Sequence, residues 1–224
     1  MSQEAGYPSP KMIDIPSKPV RIKLTEDIDF FELFKRIESE YETCYLLESL
    51  GAEGHMSRHH AIGFSPAMTI AATDRNTLSI TDNITSEVNH YQTDNPYQLL
   101  REITPQHVLA RDQTGGLVGY LGYDSVNFFE PSLNAKSSEH FEAFKFGVYL
   151  DGLTLDKMTG EIFYFYYPTK QQQNRIDKVK SLLQAAVPEY TDPTVEFTGD
   201  GMSKEQHAQA VMQVKEDIIA GRIF

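Results

Sequence analysis

The stretch Gly115-Gly116-Leu117-Val118-Gly119-Tyr120-Leu121-Gly122-Tyr123-Asp124 constrains this chain more than any other. Its glycines alternate with large apolar and aromatic residues, which reads as a strand. Glycine costs a strand backbone entropy and packs nothing, so repeated glycines mark places where another backbone or a ligand approaches closely. A period of two sets Leu117, Gly119, Leu121 and Tyr123 on one face, and Gly116, Val118, Tyr120 and Gly122 on the other. Both faces therefore read as interior, and the segment as a central, close-packed strand. Asp124 is placed to cap a short helical turn that runs to Phe129 and is stopped by Glu130-Pro131. A phosphate loop does not fit: the spacing is neither G-x-G-x-x-G nor G-x-x-x-x-G-K-S/T, and no lysine follows.

Composition narrows the function classes. With 224 residues, 40% of them hydrophobic and 23% charged, the chain can bury a substantial core. A net charge of −12 lacks the clustered Lys and Arg that neutralise nucleic-acid phosphates, so no nucleic-acid partner is expected. The aromatic run Phe163-Tyr164-Phe165-Tyr166-Tyr167 accordingly reads as sheet core and not as a base-stacking platform. The single cysteine, Cys44, permits no intrachain disulfide and fits a reducing compartment. No signal-like apolar segment follows Met1 and no apolar run has membrane-spanning length, so the expected location is the cytoplasm.

Residues 1–19 are polar and proline-punctuated and read as a flexible arm. A first domain is expected over 20–187. It opens with a strand at Val20–Leu24 and a helix capped by Asp29, whose Phe30, Leu33, Phe34 and Ile37 form one apolar stripe. A continuous apolar strand, Thr43–Ser49, reads as buried. Arg58–Phe64 begins another strand, and Ala67–Thr73 with Asn76–Thr81 reads as a hairpin. His55, His59 and His60 match a metal site by count, but adjacent strand residues point to opposite faces, so no metal site is assigned. Asn95-Pro96 opens a helix with Leu99, Leu100 and Ile103 inward, expected beside the glycine-rich strand. Segments 141–150 and 161–167 read as a hairpin joined by Asp156–Gly160. A polar helix over 172–186 buries Ile176, Val179, Leu182 and Leu183. Proline and glycine then punctuate a linker, 188–202. Ser203 caps a last helix, in the truncated start of a second domain at 203–224, with Ala210, Val211, Val214, Ile218 and Ile219 inward and Gly221 at its end.

Three segments carry a resemblance. Gly115–Glu130, Leu46-Leu47-Glu48-Ser49 and the helix at 203–221 are similar to the N-terminal region of the anthranilate synthase component I family. Arg58, Ile62 and Gly63 fit the family pattern as well, while His59, His60 and Arg222 depart from it. The resemblance implies an α+β fold of largely antiparallel sheets packed with helices, the N-terminal lobe of that fold. It implies an enzyme that in full length converts chorismate and ammonia to anthranilate and pyruvate. Ammonia would come from a glutamine amidotransferase subunit, Mg2+ would assist, and tryptophan would inhibit by feedback. It assigns Glu48 and Ser49 to the tryptophan site: a carboxylate can accept from an ammonium group, and a hydroxyl both donates and accepts. Catalytic and magnesium-binding residues are expected beyond residue 224, so the chain reads as an inactive fragment with no catalytic constellation of its own. Two alternatives stay open, the large subunit of 4-amino-4-deoxychorismate synthase and a free-standing amino-acid-binding module.

Overall fold

The structure, a computed structural model, describes residues 9–16, 18–51, 57–106, 114–169, 174–191, 193–196, 198–199 and 201–224. It divides into two units, Met1–Pro188 and Glu189–Phe224. In chain order the first unit contains β1 (Val20–Lys23), α1 (Phe30–Glu40), β2 (Cys44–Leu47), β3 (His59–Phe64), β4 (Met68–Ala72), β5 (Thr77–Asp82) and β6 (Glu87–Gln92). Then come α2 (Pro96–Ile103), β7 (Gly116–Leu121), β8 (Phe144–Tyr149), β9 (Asp151–Asp156), β10 (Glu161–Tyr166) and α3 (Ile176–Leu183). The second unit contains α4 (Lys204–Ile219).

The strands form two five-stranded sheets, ordered β1-β10-β9-β3-β2 and β6-β5-β4-β8-β7. Every pairing is antiparallel, which bears out the expected α+β class. Side-chain alternation along β10 explains how one sheet serves two cores. Ile162 and Tyr164 join Leu33 and Ile37 of α1, Val179 and Leu182 of α3, and Ile62 and Leu153. Phe165, with Tyr167 beyond the strand, joins the other core, with Ile70, Leu78, Leu100, Phe144 and Val148. The aromatic run is thus interior: Tyr164 and Phe165 are fully buried. Ile13 and Ile15 are buried against the same second core, where the Ile13 N–H donates to the Ile103 carbonyl at 2.9 Å.

Local signals placed the helix starts well. The Asp29 carboxylate accepts the Glu32 N–H, and the Asn95 side chain accepts from Tyr97 and Gln98 with Pro96 in the first turn. Ser203 and Gln206 cap α4 reciprocally, each side chain meeting the other's backbone N–H. Gly221, at φ +69°, ends it.

Several non-local expectations are corrected. The glycine-rich strand is an edge: among the described residues β7 pairs only with β8, and Tyr120 and Leu121 are exposed. Gly115 and Gly119 serve close approach to β8 instead of burial on two faces. A Cβ on Gly119 would sit 2.0 Å from the Lys145 carbonyl oxygen of β8, and one on Gly115 2.4 Å from that of Tyr149. Asp124 does not cap the helical turn, since Gly122 occupies that position; the carboxylate accepts the Ser138 N–H instead. The Asn95 helix packs on β5 and on the turn after β7, not beside β7 itself. The expected hairpin of 141–150 with 161–167 is replaced: β8 lies in the second sheet, Leu150 marks the crossing, and the hairpin is β9 with β10. The β2 strand, expected to be buried, is the other edge of the first sheet. In α4, the residues expected inward are exposed, Val211, Val214, Ile218 and Ile219 among them.

No helix among the described residues is long and apolar enough to cross a membrane.

Candidate functional site

The β2 edge ends in the two residues singled out by sequence. Its ladder with β3 pairs Cys44 with Phe64, Tyr45 with Gly63, Leu46 with Ile62 and Leu47 with Ala61. Tyr45 lies over Gly63, where a Cβ would meet its ring at 2.1 Å, and packs edge-on to Tyr149 at 4.7 Å between ring centres. This locks the strand in register, so the next residue, Glu48, falls opposite His60. There the Glu48 Oε1 lies 3.5 Å from His60 Nδ1. The His60 ring tilts against Phe30 of α1, and its Nε2 is buried with no hydrogen-bond partner among the described residues.

Ser49 is half-buried and its backbone is held from far along the chain. Lys157 Nζ donates to the Ser49 carbonyl at 3.0 Å and to that of Gly51 at 3.4 Å. Lys157 sits in the tight turn between β9 and β10, and its own N–H donates to the Arg58 carbonyl at 2.8 Å. The preceding Asp156 takes both oxygens to Arg58 Nε, each at 3.0 Å, with a second contact to the guanidinium. That hydrogen-bonded guanidinium holds the Asp156 carboxyl down at about 2, well below an ordinary aspartate. One turn therefore fastens both the end of β2 and the start of β3.

Glu48 is exposed, and so are the apolar residues that flank the Glu48–Ser49 pair in sequence. Leu47 is 42% exposed and Leu50 93%. Three hollows formed by described residues lie elsewhere. One of about 440 Å³ is lined by Tyr120, Tyr123, Asp124, Lys136 and Phe141 at the end of the glycine-rich segment. Among the described residues, the Glu48–Ser49 end is thus a polar strand end beside exposed leucines.

Among the described residues, no group of three or more His, Cys, Asp or Glu could hold a metal ion. The described residues thus supply no ligand set that fits Mg2+. His55 lies outside the described residues.

Sequence reasoning reached Glu48 and Ser49 but passed over His60 and Lys157. His60 could have been found by pairing the two predicted strands and reading across. Lys157 carries no local signal, since it lies 108 residues from Ser49.

Two antiparallel sheets with helices on them, carrying an open polar edge, define a lobe of an α+β protein. The chain belongs to the chorismate binding enzyme family, whose profile matches residues 21–224. Anthranilate synthase component 1 of Leptospira biflexa is 42% identical over 217 residues, covering 95% of this chain and 45% of that protein. Anthranilate synthase component 1 of Methanothermobacter thermautotrophicus is 33% identical over 202 residues, covering 89% of this chain and 41% of its own. The crystal structure of anthranilate synthase component I from Streptococcus pneumoniae superposes with a TM-score of 0.53 at 18% identity, over 80% of this chain and 41% of that one, and supports the fold. The chain thus spans under half the length of these relatives.

Proposed function

We propose that this chain is the N-terminal, regulatory portion of an anthranilate synthase component I. In this reading the full-length protein adds ammonia to chorismate and eliminates pyruvate to give anthranilate, in the cytoplasm. A glutamine amidotransferase subunit supplies the ammonia. Magnesium, its ligands and the catalytic residues belong to the further length that the relatives have, and the present length alone is inactive.

The observation that carries the reading is the 42% identity to a protein named anthranilate synthase component 1, sustained over nearly the whole chain. The site supports the regulatory part. Glu48 offers a carboxylate, partly solvated and aimed by its cross-strand neighbour, which suits an ammonium group. Ser49 adds a hydroxyl, and exposed Leu47 and Leu50 provide apolar surface for an indole ring. Tryptophan bound there inhibits by linkage: it favours a conformation that binds chorismate less well, and chorismate weakens tryptophan binding by the same factor.

The test is the product formed by the full-length protein from chorismate and ammonia. Anthranilate with pyruvate is expected. Accumulation of 4-amino-4-deoxychorismate would overturn the assignment in favour of the folate-pathway enzyme, and no turnover of chorismate would favour a binding module.

A further inference from the structure

Beyond Leu47 the ladder from β2 to β3 stops, yet Glu48, Ser49 and Gly51 remain held. Among the described residues, the contacts to them come from His60 and Lys157. His60 is clamped between Glu48 and Phe30, and a one-step slip of the strand would carry Glu48 to the other face. Lys157 spends its ammonium on two backbone carbonyls, groups that a regular strand would have paired with a neighbour. It reaches them from a turn that is itself fixed: the Gly160 N–H donates to the Asp156 carbonyl at 2.8 Å, and the Met158 N–H to Asp156 Oδ1 at 3.0 Å. Gly160, at φ +70°, adopts the left-handed backbone such a turn requires.

We propose that Lys157 and His60 are positioning residues for the effector site, Lys157 fixing the backbone of Ser49 and Gly51 and His60 aiming the Glu48 carboxylate. This rests on the tryptophan reading above. The pair makes regulation depend on the β9–β10 turn, remote in sequence from the residues that would touch the ligand. A lysine is suited to this task because its three donors can serve several carbonyls at once. Methionine retains the length and apolar stem of the side chain but cannot donate, so the substitution removes the tether while leaving the packing in place.

The experiment uses the full-length protein, assayed with chorismate and ammonia while L-tryptophan is titrated. Lys157→Met should raise the half-inhibitory tryptophan concentration by about fivefold or more, the low end of ordinary coupling between sites. The KM for chorismate should stay within about twofold, because the tether acts on the effector and not on the substrate. Lys157→Arg should return most of the sensitivity, which a loss of general stability would not predict. Lys157→Leu serves as a second removal should the methionine variant fold poorly, and His60→Phe tests the other contact by keeping the ring and deleting its nitrogens. Parental inhibition curves for Lys157→Met and Lys157→Leu, alongside a Ser49→Phe variant that has lost sensitivity, would overturn this inference and leave the tryptophan reading intact. A parent protein insensitive to tryptophan would overturn both.

Discussion

Arg175 meets Asp151 across two bonds: Nε donates to Oδ2 at 2.8 Å and a terminal nitrogen donates to Oδ1 of a carboxylate only 1% exposed. The Tyr164 hydroxyl also donates to Oδ2 at 2.8 Å while accepting the Arg175 N–H at 3.0 Å. The guanidinium lies over Phe64 as well, 4.9 Å from the ring centre. Desolvation raises the Asp151 carboxyl, and the bonds from Arg175 and Tyr164 oppose it. The pair thus joins the start of α3 to the first residue of β9, where the chain has just crossed between sheets.

Breaking such a buried pair by removing one partner leaves an uncompensated group. Arg175→Met is expected to lower the unfolding free energy by about 3 to 5 kcal/mol. Urea denaturation measures it, and a loss no larger than that of a surface substitution would show that the pair is dispensable.

The closeness of β7 to β8 gives a second test. Gly119→Val places its Cβ 2.0 Å from the Lys145 oxygen and 2.7 Å from the Phe146 Cα, both backbone atoms. A loss of about 1 to 3 kcal/mol is expected from overpacking, or more if the strand is forced off its partner. Gly201→Ala, with nothing within 4 Å of the added carbon, is the contrasting change and should be close to neutral. Overlaying melting curves for Gly119→Val and the parent would contradict the packing argument.

The clamp on Asp156 predicts a pH dependence. Its folded value is depressed to about 2, so the carboxylate binds fewer protons in the folded state than in the unfolded one. Its stabilisation is therefore fully present above about pH 4 and is lost as the pH falls toward 2. Melting temperatures of the parent and Asp156→Asn should differ most above that window and converge at its acid end. A gap that is constant down to pH 2 would show that the Arg58 contact does not act through charge.

What the sequence revealed and what it hid divide along a physical line. Asp29, Asn95 and Ser203 were legible as caps because a cap is a contact between residues three apart. The alternation in 115–123 was legible as a strand, but whether a strand is central or at an edge depends on which others pair with it, and β7 proved to be an edge. The turn at Asp156–Gly160 was likewise legible, while the sheet change at Leu150 was not: 141–150 reads as the partner of 161–167, and no local signal says that β8 and β9 enter different sheets. At the candidate site, Glu48 and Ser49 came from a resemblance, whereas His60 required the strand register and Lys157 the tertiary fold. The apolar stripe of α4 reads the same whether or not anything covers it, and here its residues are exposed.

The capping box of α4 offers a local check on the second unit. Ser203→Ala removes the acceptor for the Gln206 N–H and should cost about 1 kcal/mol of helix stability. Faster amide exchange confined to the first turn is the expected signature; unchanged exchange there would mean that the cap does not hold the helix start.

The tryptophan site proposed at the end of β2 is tested most directly by one titration. Full-length protein is assayed for anthranilate formation against increasing L-tryptophan, parent beside Ser49→Phe. The parent should be inhibited, and Ser49→Phe should require about tenfold more tryptophan for the same inhibition, within the usual range of site coupling. Coincident inhibition curves for the two proteins would contradict it.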